Sequence, residues 1–346
     1  MAQTSVAAVK LDTRTLSLFK PSKSFNKSPS KAHITSLDFD DTGDFLVTAA
    51  QDESIQLYNA REGKHEKTLF SKKYGVHLAR FTHKKSNIVY ASTKENDTLR
   101  LLSLHDNSFI RYFKDHEKKV VCLEVSPSDD HFISASKDNT VRLWDLNSPN
   151  CQGLLHVPAP SLASFDPTGS IFCVTSHGTG AVMLYDLRNF DKEPFSTWRI
   201  TDDQFLQKFS YPPRMPNWTK LEFSNDGKLI LLCTDGEAHY VLDAFSGEIK
   251  FRLTGHVPIH QTHQTSGNTT FTPDGRHVIS GSGDDSLVFW DLGGPVRNDR
   301  TLMPSHITPA GALDNPLCVA FNPRTAMMVT ADTELFMWLP DLNESN

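Results

Sequence analysis

The chain has 346 residues, 38% hydrophobic and 22% charged, enough apolar side chain for a sizeable buried core and too much for a disordered polymer. Its formal charge of −6, from 35 basic and 41 acidic residues, excludes a generally basic nucleic-acid binder while leaving room for local basic patches. Five cysteines with no C-x-x-C pair argue against a disulfide framework or a cysteine zinc site, and the longest apolar run, Leu229 to Cys233, is far short of a membrane span of about 20 residues.

Taken in chain order, MAQTSVAAVKLD carries no charged-then-apolar leader pattern, so a soluble intracellular protein is expected. Residues 1–14 read as a tail, and a strand is expected within 15–20 or just beyond. The connection KPSKSFNKSPSK follows, with Lys20, Lys23, Lys27 and Lys31 spread through Ser and Pro. From there one pattern recurs. HFISASKDNTVRLWDL at 131–146 and HVISGSGDDSLVFWDL at 277–292 both read apolar, Ser, small, Ser, x, Asp, x, Ser/Thr, apolar, x, apolar, Trp, Asp, Leu. Weaker copies lie at 45–60, 87–104, 171–187, 229–245 and 327–342, which makes seven.

The turn position of each copy falls at 52, 96, 138, 179, 236, 284 and 332, so the steps run from 41 to 48 save one of 57. The units open with alternating segments that end at turns such as Asp41-Thr42-Gly43, Pro127-Ser128-Asp129, Pro167-Thr168-Gly169, Asn225-Asp226-Gly227 and Pro273-Asp274-Gly275. Pro, Asp and Gly at these offsets preset hairpin turns, and short strands at regular spacing predict an all-β fold. A period of about 40–45 residues ending in Trp-Asp resembles the WD40 repeat, which supplies four strands to one propeller blade. The expectation is a single closed seven-bladed β-propeller over 15–342, with an N-terminal strand completing the last blade and removing its open edge, and a tail at 343–346.

Copy three carries His116, Ser134, Asp138 and Trp144, and copy six carries His256, Ser280, Asp284 and Trp290. Ser, His and Asp together invite a hydrolase reading. The WD40 resemblance implies instead a buried chain from Trp N–H through hydroxyl and imidazole to carboxylate, pinning the turns of a blade. Copy one comes near it with His33, Thr48 and Asp52, but has Tyr58 at the aromatic position; copies two, four and five lack it. No catalytic residue is therefore assigned. His256, His260 and His263 stand at i, i+4 and i+7, yet a loop setting with no carboxylate or thiolate to complete the set argues against a metal site. No phosphate-binding glycine loop occurs, so no cofactor is expected.

Two features suit partners. Lys72-Lys73-Tyr74, His77 and Lys118-Lys119 form a basic stretch across copies one to three, with Lys84-Lys85 on the next turn; such runs are solvated faces unless they meet phosphate or acid. The long step hides an insertion at about 191–218 holding Phe195, Trp198, Phe205, Phe209, Tyr211 and Trp218, residue types that interfaces favour and that packed loops also use.

Further stretches go beyond a generic WD repeat. They include Ser71-Lys72-Lys73-Tyr74-Gly75-Val76, Leu102-Ser103-Leu104-His105-Asp106-Asn107, Ser148-Pro149-Asn150-Cys151-Gln152-Gly153-Leu154, Tyr185-Asp186-Leu187-Arg188 and Phe336-Met337-Trp338-Leu339-Pro340. From about Leu16 onward the chain resembles the WD-repeat subunit shared by COMPASS-type methyltransferases of histone H3 lysine 4 and the cleavage and polyadenylation factor, in its fungal form. The loop around 199–216 is expected to be longer than in animal members.

The resemblance implies a non-enzymatic nuclear scaffold. Its partners would be the methyltransferase N-terminal region with other COMPASS subunits, cleavage and polyadenylation factor subunits, and the phosphorylated tail of RNA polymerase II. Neither membrane nor sequence-specific nucleic-acid binding is expected. The alternative is another WD-repeat scaffold, such as a ubiquitin-ligase substrate receptor. For partner contacts the sequence singles out Lys72, Lys73, Tyr74, His77, Lys118 and Lys119.

Overall fold

A computed structural model describes residues 10–26, 31–259, 264–310 and 316–342. Seven antiparallel blades stand around an axis, each of four strands in chain order save the last, whose fourth strand comes from the N-terminal end, and one blade gains a fifth strand. The innermost strands begin at Ile34, His77, Val120, Pro160, Trp218, Thr269 and Cys318, and each touches its neighbours on both sides so that the ring closes. The outermost strand of the last blade is Phe19–Phe25, pairing antiparallel with Leu335–Pro340 from Phe19 opposite Pro340 to Phe25 opposite Leu335. The closing strand thus begins at the end of the 15–20 window and runs beyond it. Thr13–Ser17 is instead a short helix, because the Asp12 carboxylate accepts the Thr15 N–H and caps it. Its Leu16 is buried with Phe19, Phe289 and Trp338, so the ordered fold reaches into what reads as a tail.

The turn signals act through one device repeated around the ring. Asp40 Oδ1 accepts the Phe45 N–H at 2.7 Å, and Asp166 Oδ1 accepts the Ile171 N–H at 2.8 Å, closing the first hairpin of blades one and four. Gly43 sits at φ 70°, and a Cβ there would fall 2.3 Å from Asn322 Oδ1, whose amide Nδ2 donates to Gly43 O. Only glycine fits this contact between the first and last blades.

Propeller geometry leaves the innermost strands without a ladder partner toward the next blade, so side chains satisfy their donors. Ser36 Oγ accepts the Ala79 N–H, Cys122 Sγ the Ala163 N–H and Ser266 Oγ the Leu37 N–H. The core lies between blades, in apolar layers such as Val47, Ile55, Val76, Ile88 and Tyr90 between the first two. Four cysteines are buried free thiols and Cys151 is half-buried.

Candidate functional site

The connections between blades and the turns between second and third strands share one face, and this face carries the residues singled out above. In blade three the indole N–H of Trp144 donates to Ser134 Oγ at 2.8 Å. Ser134 and His116 Nε2 are 2.7 Å apart, and His116 Nδ1 stands 2.8 Å from Asp138 Oδ2. With the hydroxyl donating to Nε2, the Nδ1–H faces the carboxylate and every polar atom of the chain is paired. Thr140 Oγ1 and the Glu117 N–H complete the shell around Asp138. Ser134 and Trp144 have no exposed surface, and the rings of Phe113 and Phe132 flank the indole. A hydroxyl in that position reaches no substrate; the set pins the turn.

Blade six is wired differently, which corrects the expectation of a second matching set. His239, from the third strand of blade five, accepts the Thr234 N–H at Nδ1 and so donates from Nε2 to Ser280 Oγ at 3.2 Å. His256 is displaced to donate from Nε2 to Gly236 O at 3.0 Å, and its ring stacks on His239 with centroids 4.1 Å apart. Trp290 Nε1 donates to the Thr254 carbonyl at 3.0 Å, and Asp284 holds the Ser286 hydroxyl at 2.6 Å. His260 and His263 lie outside the described residues.

The near-match in blade one also changes partner. His33 Nδ1 stands 2.5 Å from Asp332 of the last blade, while Trp338 Nε1 donates to Thr330 Oγ1 at 2.9 Å. The His–Asp contact therefore bridges the closure of the ring. The sequence offered Asp332 and Trp338 at the repeat offsets of copy seven, but the pairing across the chain's two ends was not readable from spacing.

Burial pushes the His256 ring down to about 4, and pushes His239 well below the usual histidine value with the charge of its stacked neighbour adding to it. Both are therefore neutral in the folded protein and take up protons in the unfolded chain below its ordinary value of about 6.5. Their contribution to stability is complete above that pH and is lost as pH falls from it toward 4. Melting temperature is expected to fall between pH 7.5 and pH 5, and less steeply in His256→Gln; equal slopes would show that the stacked pair does not contribute.

Of the basic stretch, Lys72, Lys73, Lys118 and Lys119 are exposed, Tyr74 is half-buried and His77 is buried. Lys73 lies over the Tyr74 ring at 5.1 Å, and the buried Arg100 guanidinium stacks beneath the same ring at 3.7 Å. His77 and Lys119 meet in a 410 Å³ cavity at the mouth of the axial channel, together with Lys137, Gln264, Thr35 and Glu53. Burial pushes His77 down to about 3, with Lys119 adding to the effect. Burial likewise lowers the Lys119 ammonium, and Lys137 lowers it further. Neither lysine has a carboxylate partner among the described residues, so the mouth is electropositive. Lys84 and Lys85 do not join this rim: they sit in the turn after His77–Phe81, at the other end of that strand, with Lys85 over the Phe45 ring.

The channel itself carries one residue per blade at a shared register, Asp38, Arg80, Glu124, Ser164, Glu222, Thr270 and Ala320, and opens as a 610 Å³ cavity on the opposite face. Arg80 pairs with Glu124 at 2.9 Å, Lys220 with Glu222 at 2.7 Å, and burial raises the Asp38 carboxyl to about 7 against the pull of Arg80. Sequence reading missed this ring because its charged members, Asp38, Arg80, Glu124 and Glu222, each stand alone between apolar neighbours at a strand end.

The insertion is divided. Ser196–Arg199 is the outer strand of blade four, and only residues 200–217 are extra chain. Phe205, Leu206 and Trp218 are buried in the layer between blades four and five, with Trp198 and Met215 packed against it. Phe209 and Tyr211 point outward, 54% and 95% exposed. Asp202 accepts both the Nε and Nη2 donors of Arg252 at 2.6 Å, bolting the loop to the outer strand of blade five.

A closed ring of seven four-stranded blades with Trp–Ser–His–Asp wiring defines a WD40 propeller, and residues 19–59, 107–145 and 247–291 match the WD domain, G-beta repeat model. Over 97% of its length the chain is 38% identical to WD repeat-containing protein 82 of Drosophila melanogaster, covering 99% of that protein. It is 36% identical to Set1 complex component swd2 of Schizosaccharomyces pombe, over 93% of this chain and 97% of that one. It is 34% identical to COMPASS component SWD2 of Saccharomyces cerevisiae, over 97% of this chain and all of that one. The chain belongs to this family of WD-repeat proteins.

Proposed function

We propose that the chain is a non-catalytic scaffold subunit of a nuclear COMPASS-type complex that methylates histone H3 lysine 4. It would also serve the cleavage and polyadenylation machinery, tying both to the phosphorylated tail of transcribing RNA polymerase II. The observation that carries the reading is full-length similarity to the COMPASS component and the Set1 complex component. Three features support it. The propeller is rigid and offers seven sets of loops as contact surface; the Ser–His–Asp set of blade three is sealed from substrate; and the exposed lysines 72, 73, 118 and 119 share one face, suited to phosphate or acidic side chains.

Affinity purification of the tagged chain from nuclear extract is expected to recover methyltransferase and polyadenylation subunits. Changing Lys72, Lys73, Lys118 and Lys119 together to Glu is expected to deplete them while the melting temperature holds. Recovery of neither set by the wild-type chain would sink the proposal. Equal recovery by both chains would move the contact off this rim.

A further inference from the structure

The outer edges of a propeller's blades are unpaired strand edges, and this chain protects nearly all of them. Blade one exposes Lys64 and Glu66 along its edge, blade seven has Lys20, Pro21 and Lys23, and blade six ends its edge strand in Pro309. Blade four's edge strand is only Ser196–Arg199, and blade three has the Phe190 ring laid against Gly153, where a Cβ would meet it at 2.3 Å. Blade five is covered by the chain itself. Thr301–Leu302, from the long connection inside blade six, adds to its edge in parallel, with Arg252 opposite Thr301 and Leu253 opposite Leu302. The Arg252 N–H donates to Arg300 O at 2.9 Å and the Thr254 N–H to Leu302 O at 3.3 Å.

Blade two has neither a proline nor a covering segment on its edge among the described residues. Its outer strand is Ser108–Phe113, and a bulge between Leu101 and Leu102 leaves Ile110 unmatched, as the bulge in blade five leaves Lys250. That register makes Tyr112 the counterpart of Arg252 and Lys114 the counterpart of Thr254. The two outward N–H groups that blade five uses to hold its added strand are therefore present in blade two, and the Lys114 N–H has no acceptor among the described residues. Beside this edge runs a 680 Å³ groove whose lining includes Ile110, Tyr112 and Pro149 as apolar surface and Arg111, Lys114 and Asp115 as charged groups. Ile110 is 47% and Tyr112 39% exposed. Asp115, on the groove wall, is paired with Arg142 at 3.5 Å, whereas Lys114 has no carboxylate partner among the described residues.

We propose that the outer edge of blade two, from Tyr112 to Lys114, is a docking site for an extended segment of a partner protein bearing alternating apolar and acidic side chains. The segment adds as a fifth strand, as residues 301–302 do on blade five. Main-chain bonds to Tyr112 and Lys114 supply register, the groove takes the apolar side chains, and Lys114 meets the carboxylates. This goes beyond the scaffold reading and does not depend on which complex supplies the segment.

The probe is the capped peptide Glu-Val-Glu-Val-Glu-Val-Glu, with its Lys-for-Glu counterpart as control, measured by fluorescence anisotropy and by amide hydrogen exchange on the full chain. Saturable binding of the acidic probe alone is expected, with exchange slowed at Tyr112 and Lys114. Lys114→Pro, which removes the donor, is expected to weaken binding by about tenfold at unchanged melting temperature. Lys114→Glu leaves the backbone untouched and tests the charge separately, with a loss in the same direction expected. Absence of saturable binding, protection centred on another blade, or wild-type affinity in both variants would overturn the proposal. So would a wild-type dimer by sedimentation that Lys114→Pro dissociates, because the edge would then belong to a second copy.

Discussion

His116→Ala is expected to lower the unfolding free energy by about 2–4 kcal/mol, visible as a lower denaturation midpoint with an unchanged denaturant slope. The imidazole is the middle of a chain in which Ser134 Oγ is 2.7 Å on one side and Asp138 Oδ2 2.8 Å on the other. Removing it leaves the fully buried Ser134 hydroxyl without its acceptor, takes one of several donors from the half-buried Asp138, and leaves a cavity beside Trp144. The carboxylate adds a pH signature. Burial alone would raise Asp138, but hydrogen bonds from Thr140 and His116, then the charge of His116, hold it down to about 2. A depressed carboxylate stabilises the fold above its unfolded value of about 3.9, and that contribution is lost as pH falls toward 2. In His116→Ala the acid limb of the stability curve is expected to be shallower between pH 4 and pH 2, since the depression is partly gone. A midpoint shift worth under about 0.5 kcal/mol would show that the chain of bonds is incidental to stability. Ser134→Ala should behave like a milder His116→Ala, a loss of stability and nothing else.

The architecture was legible because the repeat writes one structural unit seven times, and period and turn chemistry are local properties. Asp40 and Asp166 close the same hairpin that the Thr-Gly dipeptides announce. The blade-three set was legible for the same reason: its four members belong to one blade and bond to one another. Blade six carries the same letters and differs because His239 arrives from the previous blade, at an offset that no reading of copy six contains. His33 likewise finds Asp332 nearly the whole chain away. Side-chain identity was thus sufficient where partners are sequence neighbours, and insufficient where the ring brings two copies into contact.

The basic rim shows the same limit from the other side. Proximity in sequence grouped Lys84 and Lys85 with Lys72 and Lys73, but one strand of His77–Phe81 separates them and sends them to opposite ends of the blade. His77 and Lys119 belong to different blades and yet share one cavity. The axial ring of Asp38, Arg80, Glu124 and Glu222 was invisible for a related reason, because a charged residue near the end of each inner strand acquires meaning only when the strands stand around a common axis.

Arg252→Ala is expected to have the other large effect, about 3–5 kcal/mol, because it leaves the Asp202 carboxylate buried without its counter-charge. The two side chains are 9% and 8% exposed and bonded in parallel at 2.6 Å, and the same guanidinium reaches Thr301 Oγ1 at 3.0 Å and Asp299 O at 2.9 Å. It also lies over the Phe205 ring, with 4.5 Å between the guanidinium carbon and the ring centre. One side chain thus fastens three segments that are remote in sequence: the inserted loop at 200–217, the outer strand of blade five, and the strand Thr301–Leu302 added to it. Because the rest of the ring does not depend on it, the loss should be felt first as local opening. Trypsin is expected to cut after Lys208 and Arg214 in the variant under conditions that leave the wild-type chain intact, and amides of residues 301 and 302 should exchange faster. The double replacement Asp202→Leu with Arg252→Met removes both charges and keeps apolar volume, and should recover most of the stability lost in Arg252→Ala. If the double variant is as unstable as the single one, the pair's hydrogen bonds to the 299–301 segment, not its charge balance, hold the insertion in place. If Arg252→Ala leaves both stability and cleavage unchanged, the loop is held by Phe205 and Leu206 alone.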